Sequence, residues 1–136
     1  MEYLKDFENW NILKKEIDSS NNRIPFFKEG DVWWVHLGAN IGSEIEGKGT
    51  KFLRPMIIIR KYSPQLFLGI PLSSKLKNIW SYIPIIINTR KESLLITQSR
   101  SISSKRLLHR FGEISEKELR KVKKQLIYII KNNPSG

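Results

Sequence analysis

The sequence predicts a mainly β protein with helices, built as a small, partly open β-barrel with a helix at either end. Three observations predict it. Between Gly30 and Gln98, short apolar runs alternate with turn residues at spacings too tight for helices. The first seventeen residues and the last twenty carry apolar side chains at three- and four-residue intervals instead. Strands and helices do not alternate as a βαβ sheet would require.

Residues 3–17 form the first predicted helix, with Leu4, Phe7, Trp10, Leu13 and Ile17 on one stripe. So much apolar surface is expected to pack against the barrel. Asp18–Asn22 is polar and ends the helix. Residues 1–28 thus read as an accessory helix and linker, and 29–136 as the barrel domain with its C-terminal helix.

Val32-Trp33-Trp34-Val35 is the first strand, β-branched and aromatic. Alternation should turn one tryptophan inward. Leu37–Leu53 is a long Gly- and charge-rich loop, a length that suggests function. Pro55–Arg60 is a strand too continuously apolar for either face to be exposed, and Leu66–Ile70 returns beside it after a turn at Tyr62–Gln65. Tyr82–Ile87 is a strand that Pro84 assigns to an edge or a bulge. Ser93–Gln98 is the next strand, and Ser103–Leu108 a short helical turn. Ser115 caps the last helix, with Glu118 completing a capping box and Ile114 and Leu119 at the staple positions. Leu119, Val122, Leu126 and Ile129 form its apolar face; Lys121, Lys123 and Lys124 lie off that stripe, on a solvated face.

The 136 residues suit one domain. Cysteine is absent and there are two histidines, His36 and His109, so no disulfide framework or metal centre is expected, nor any cofactor. Both imidazoles read as surface or strand-edge groups. No apolar run is long enough to span a bilayer and the start lacks the order of a signal peptide, so a cytoplasmic protein without membrane contact is expected. The glycines of the long loop precede no helix, which removes a phosphate-binding P-loop.

Charge gives the first functional clue. The net charge is +11 and the pI about 10.0. Residues 1–47 hold five Lys/Arg against nine Asp/Glu, giving −4, whereas residues 48–136 hold nineteen against four, giving +15. That asymmetry points to a polyanionic partner, of which nucleic acid is the commonest.

Four segments in order carry a family resemblance. Glu29-Gly30-Asp31-Val32-Trp33-Trp34-Val35 resembles the opening strand of MazF/PemK toxins. Gly42-Ser43-Glu44, a Gly/Lys loop and Arg54-Pro55-Met56-Ile57-Ile58-Ile59 resemble that family's loop and second strand. Ile70-Pro71-Leu72-Ser73-Ser74 resembles its strand ending in Pro-X-Thr/Ser. Ser93–Arg106 resembles its late strand, with Gln98 and Arg100 in place. The leading helix and extended loop are similar to those of a longer-loop, PemK-like branch.

The resemblance implies an SH3-like barrel, a homodimer, and the toxin of a type II toxin–antitoxin system held by a cognate antitoxin. It implies a metal-independent endoribonuclease acting on single-stranded RNA by 2′-OH transesterification, leaving 2′,3′-cyclic phosphate and 5′-OH ends. Because RNA supplies the nucleophile, the protein needs only to orient it and stabilise charge. Arg54 aligns with the catalytic arginine, whose planar fork suits two phosphate oxygens. Ser73 stands at the Thr/Ser position and is expected to orient phosphate or 2′-OH. Glu44 aligns with the loop acid that takes the 2′-OH proton or holds Arg54. Lys48, Lys51, Ser74, Lys75, Lys77, Gln98 and Arg100 are the expected RNA contacts. The chain departs from the family at Ser43, Leu95 and Thr97, where some members carry histidine, arginine and an acid. Two rivals remain: an SH3-like module that binds nucleic acid without cutting it, and a CcdB-type toxin acting on a protein target.

Overall fold

The computed structural model describes residues 4–134. Residues 1–3, which include the expected start of the first helix, and 135–136 lie outside the described residues. The order of elements is α1 (Phe7–Ser19), β1 (Asp31–His36), β2 (Leu53–Ser63), β3 (Leu66–Ser73), β4 (Tyr82–Ile87), β5 (Arg90–Leu95), β6 (Arg100–Ser103), β7 (Leu107–Glu113) and α2 (Glu116–Lys131). The strands make one antiparallel seven-stranded sheet in the order β4-β5-β3-β2-β1-β7, with β6 paired to β3. The sheet is open, as expected of a partly open barrel. Across the opening, Asn88 Nδ2 beyond β4 donates to the Phe111 carbonyl of β7 at 2.6 Å.

Period-two patterning sends the central strands into two cores. Val32, Ile57, Ile59, Ile70, Leu72 and Leu94 face α2 and pack on Val122 and Leu126. Trp33, Val35, Met56, Ile58 and Phe67 point the other way, onto Phe27, Ile102 and Leu107. Burial of β2 on both faces is the reason its apolar run is continuous. Trp33 is the inward tryptophan, its Nε1 donating to Asp31 Oδ2 at 3.3 Å. Trp34 is half-buried, edge-on to Phe111.

Several elements differ from expectation. The strand expected at Ser93–Gln98 runs Arg90–Leu95 and then tightens into a 3-10 turn, Ile96–Gln98. The early start follows from Glu92, which is buried and ion-paired with Arg90, so a charged tripeptide still ladders with β4. The turn before it lies at Asn88–Thr89, both with positive φ. Of the expected turn at Ser103–Leu108, Ser104–Arg106 is a 3-10 turn, and β7 follows as a strand unmarked by alternation. His36 is buried rather than superficial, its Nδ1 2.8 Å from the Lys51 carbonyl oxygen. At α2 the Ser115 hydroxyl accepts the Glu118 N–H at 3.1 Å, and the Glu118 carboxylate meets that same hydroxyl at 3.4 Å rather than the Ser115 backbone.

The first helix begins at Phe7, with Asp6 as its N-cap. Its stripe is buried only in part. Trp10 packs on Ala39 and Phe52, with Leu13 and Ile17 against that cluster, whereas Leu4 and Phe7 are exposed. Trp10 lies over Gly38, where a Cβ would come 2.3 Å from the indole. α1 is therefore docked on the 37–52 loop. No helix among the described residues is long and apolar enough to cross a membrane.

Candidate active site

Arg54 is the second residue of β2, paired with Val35 of β1. A guanidinium is costly to desolvate, so its burial here requires partners. Nε donates to the Glu46 carbonyl at 2.7 Å and Nη1 to the Leu72 carbonyl at 3.1 Å. Burial pushes its pKa below the ordinary arginine value, and the charges of Tyr82 and Glu46 oppose that shift. No hydrogen bond from Nη2 is made among the described residues. Two bonds thus aim the fork and leave one nitrogen for a ligand.

Arg54 lies in a cleft of about 950 Å³ between the 45–52 loop and α1. Lys48, Thr50, Phe52 and Lys75 line it, as do Glu46 and, from α1 and its N-cap, Asp6, Asn9, Ile12, Leu13 and Glu16. The loop's path depends on Gly47, where a Cβ would fall 1.8 Å from the Phe52 carbonyl oxygen, and on the paired Lys48 and Leu53 backbones.

Ser73 ends β3, one residue beyond the carbonyl that holds Arg54. It is buried, and its hydroxyl accepts the Lys75 N–H at 3.2 Å, keeping its own proton to donate. Ser93, its partner across the ladder, donates to the Lys75 carbonyl at 2.6 Å. Together these bonds hold the chain where it leaves β3 for the lysine-bearing 74–78 segment.

The structure brings Arg54, Lys48 and Lys75 into one cleft; Ser73, buried two residues before Lys75, is not among the residues that line it. Nor does the structure bring Glu44 there. That carboxylate accepts the Ile41 N–H at 3.0 Å and faces a separate cleft with Phe7, Glu8 and Arg106. The acid beside Arg54 is Glu46, whose Oε2 lies 3.8 Å from Lys5 Nζ. Gln98 pins the loop, accepting from Ile45 N and donating to the Ser43 carbonyl, both at 3.1 Å. Lys77 leaves the cleft and sits over the Tyr82 ring, 5.1 Å from its centroid. Lys51 and Ser74 are exposed, and Arg100 is half-buried on β6 near Arg106. Sequence reading missed Glu46 and the whole contribution of α1. The only signal for Glu46 is its place in the same loop. Asp6, Asn9 and Glu16 look like an ordinary solvated helix face. Among the described residues, no group of three or more His, Asp or Glu side chains is placed to hold a metal ion.

An open antiparallel sheet with a helix at each end and a buried arginine at the start of its second strand has the fold of the MazF toxins. The crystal structure of MazF from Deinococcus radiodurans superposes with a TM-score of 0.63 at 18% identity, over 82% of this chain and all of that one. Toxin MazF-mt6 of Mycobacterium tuberculosis gives 0.56 at 8% identity, over 76% of this chain and 98% of that one. An endoribonuclease in complex with its cognate antitoxin, from a mycobacterial species, gives 0.57 at 11% identity, over 78% and 96%. No match was found among curated protein sequences. The chain belongs to the PemK-like, MazF-like toxins of type II toxin–antitoxin systems, whose family model matches residues 28–130.

Proposed function

We propose that this toxin is an endoribonuclease that cuts single-stranded RNA without a metal cofactor, with Arg54 as its charge-stabilising group. The observation that carries the reading is a buried, two-point-anchored guanidinium opening into a cleft with Lys48 and Lys75. The lysines hold the phosphate backbone. The RNA 2′-oxygen attacks the adjacent phosphorus, the bond to the 5′-oxygen breaks, and a 2′,3′-cyclic phosphate and a 5′-OH result. Arg54 neutralises the charge that builds on the phosphorane, and the Ser73 hydroxyl donates a hydrogen bond to a phosphate oxygen. The proton of the 2′-OH passes to a carboxylate, a role we assign to Glu46, which lines the cleft, rather than to Glu44, and the leaving 5′-oxygen takes up a proton from the acid so formed or from water. Two copies of the chain pair as a homodimer, and an antitoxin with an acidic, disordered segment neutralises the basic surface.

The test is cleavage of single-stranded RNA in excess EDTA. Cutting with cyclic-phosphate ends is expected, with the 2′-deoxy analogue left intact. Arg54→Ala is expected to slow the reaction on the order of 10²–10³-fold, as removal of an oxyanion donor does. Lys51→Ala is expected to act on binding alone. An Arg54→Ala variant that cuts at the wild-type rate with an unchanged melting temperature overturns the assignment of the site. Binding without cutting by the wild type leaves the inactive nucleic-acid module, and no RNA binding at all leaves a protein-directed toxin.

A further inference from the structure

The family match begins at residue 28, so α1 lies wholly outside it, yet α1 and its N-cap Asp6 supply five of the residues that line the Arg54 cleft. Its position is held at three points. Trp10 is seated over Gly38 and tilted against Phe52, with ring centroids 5.5 Å apart. Before the helix, Lys5 Nζ donates to the Asn40 carbonyl at 2.6 Å and to the Gly42 carbonyl at 3.0 Å. At the far end, Lys105 Nζ donates to the Asp18 carbonyl at 2.6 Å. A helix so held presents one face to the cleft whenever it is docked. Asp6, Asn9, Ile12 and Glu16 follow one another along that face over about 15 Å at the rise of an α-helix.

The two sides of the cleft differ in chemistry. Lys48, Lys75 and Arg54 attract phosphate, and the carboxylates of Asp6 and Glu16 repel it. Hydrogen bonds from the Asn9 side chain and backbone hold the Asp6 carboxyl below its ordinary pKa, so it is ionised at neutral pH. A strand entering the cleft lowers its energy by laying its phosphates on the lysine side and its bases toward α1. A carboxylate accepts from an exocyclic amino group, which adenine, cytosine and guanine carry and uracil lacks. Resting on the reading of the cleft as an RNA site, we propose that the Asp6–Glu16 face of α1 is a base-reading wall that favours amino-bearing bases over uracil beside the cut. Asn9 adds donors and acceptors to that wall, and the exposed Ile12 gives a base an apolar surface.

The experiment compares the full-length wild type with the Asp6→Asn/Glu16→Gln double variant. Asparagine caps a helix as well as aspartate does, so α1 is retained. Glu8→Gln is the control, since Glu8 borders a different cleft. Cleavage is measured on a set of single-stranded RNA oligonucleotides in which each base near the cut is replaced in turn by uracil. Binding is measured on the same set with 2′-deoxy residues, which cannot be cut. The wild type is expected to disfavour uracil at one position or more, by about tenfold for one hydrogen-bonded base edge. The double variant is expected to lose that preference, and Glu8→Gln to keep it. The same base profile in wild type and double variant overturns the inference while leaving the nuclease assignment standing. Uracil-dependent binding without cleavage supports the inference and overturns the nuclease. A wild type that binds no RNA overturns both.

Discussion

Arg54 is confined by carbonyl oxygens that belong to backbone, so no neighbouring side chain can be exchanged to release it. Ser73 is secured more lightly, by one N–H. Ser73→Ala is therefore expected to slow cleavage less than Arg54→Ala and more than Lys51→Ala, each compared at an unchanged melting temperature. Glu46→Gln is expected to lower the rate where Glu44→Gln does not, and equal losses in the two would remove Glu46 from the chemistry. The candidate arginine and serine were legible in the sequence because Arg54 stands beside Pro55 and Ser73 two residues after Pro71, each in a short recognisable run. Which acid lines the cleft was not, since two glutamates two residues apart in an irregular loop have no period to tell them apart. Only the turn that Glu44 caps with its own carboxylate decides which of them faces the cleft.

At the scale of elements, the docking of α1 concentrates on one residue. Trp10→Ala is expected to cost about 3–5 kcal/mol, the usual cost of deleting a large core aromatic. Phe7→Ser, on the exposed part of the same stripe, is expected to leave the melting curve unchanged. Gly38→Ala is expected to destabilise from the other side of that contact. A methyl there collides with Trp10 at a φ of +88°, for about 1–3 kcal/mol of overpacking on top of the backbone strain. Gly42→Ala carries the strain alone, having nothing within 4 Å, and thermal melts of the two separate the terms. Strand β4 was legible to the residue, since Pro84 declares an edge and β4 is one. Strand β7 was not, because Leu107–Glu113 gains its strand character from pairing with β1 and shows no alternation of its own. The buried half of the α1 stripe could not be told from the exposed half, because periodicity gives a face and not the extent of the surface that meets it.

Across the whole molecule, a carboxylate ties the sheet to α2. Glu29 accepts the Lys61 N–H at 2.9 Å and is ion-paired with Lys123 and Arg60. Burial works to raise its pKa, but these partners outweigh it and hold the carboxyl below its ordinary value of 4.5. An unfolded chain then binds a proton that the folded one refuses. Glu29 thus contributes stability in full above that value, and loses it as pH falls through the lower folded-state pKa. Glu29→Gln is expected to flatten the acid limb of a stability-against-pH curve and to leave its alkaline limb unchanged. A second expectation follows from the +15 of residues 48–136. RNA affinity should fall with salt at a slope of about −0.7 per phosphate neutralised, and a flat response in a titration would point to a protein partner instead. Sedimentation at micromolar concentration is expected to show a dimer; a monomer there would count against the proposed assembly.

Strand β3 is hydrogen-bonded along both flanks, by β2 on one side and by β6 and then β5 on the other. Its amides can exchange with solvent only when the sheet itself comes apart. The first helix depends on far smaller contacts, the cluster around Trp10 and the lysine ties at Lys5 and Lys105. In deuterium-exchange experiments the α1 amides are therefore expected to label well before those of Phe67–Leu72. Partial opening would lift the helix from the loop while the strands that carry Arg54 and Ser73 stay paired. The cleft would then lose one wall reversibly and keep its floor, so that its width becomes an equilibrium property set by how firmly Trp10, Lys5 and Lys105 together hold the helix.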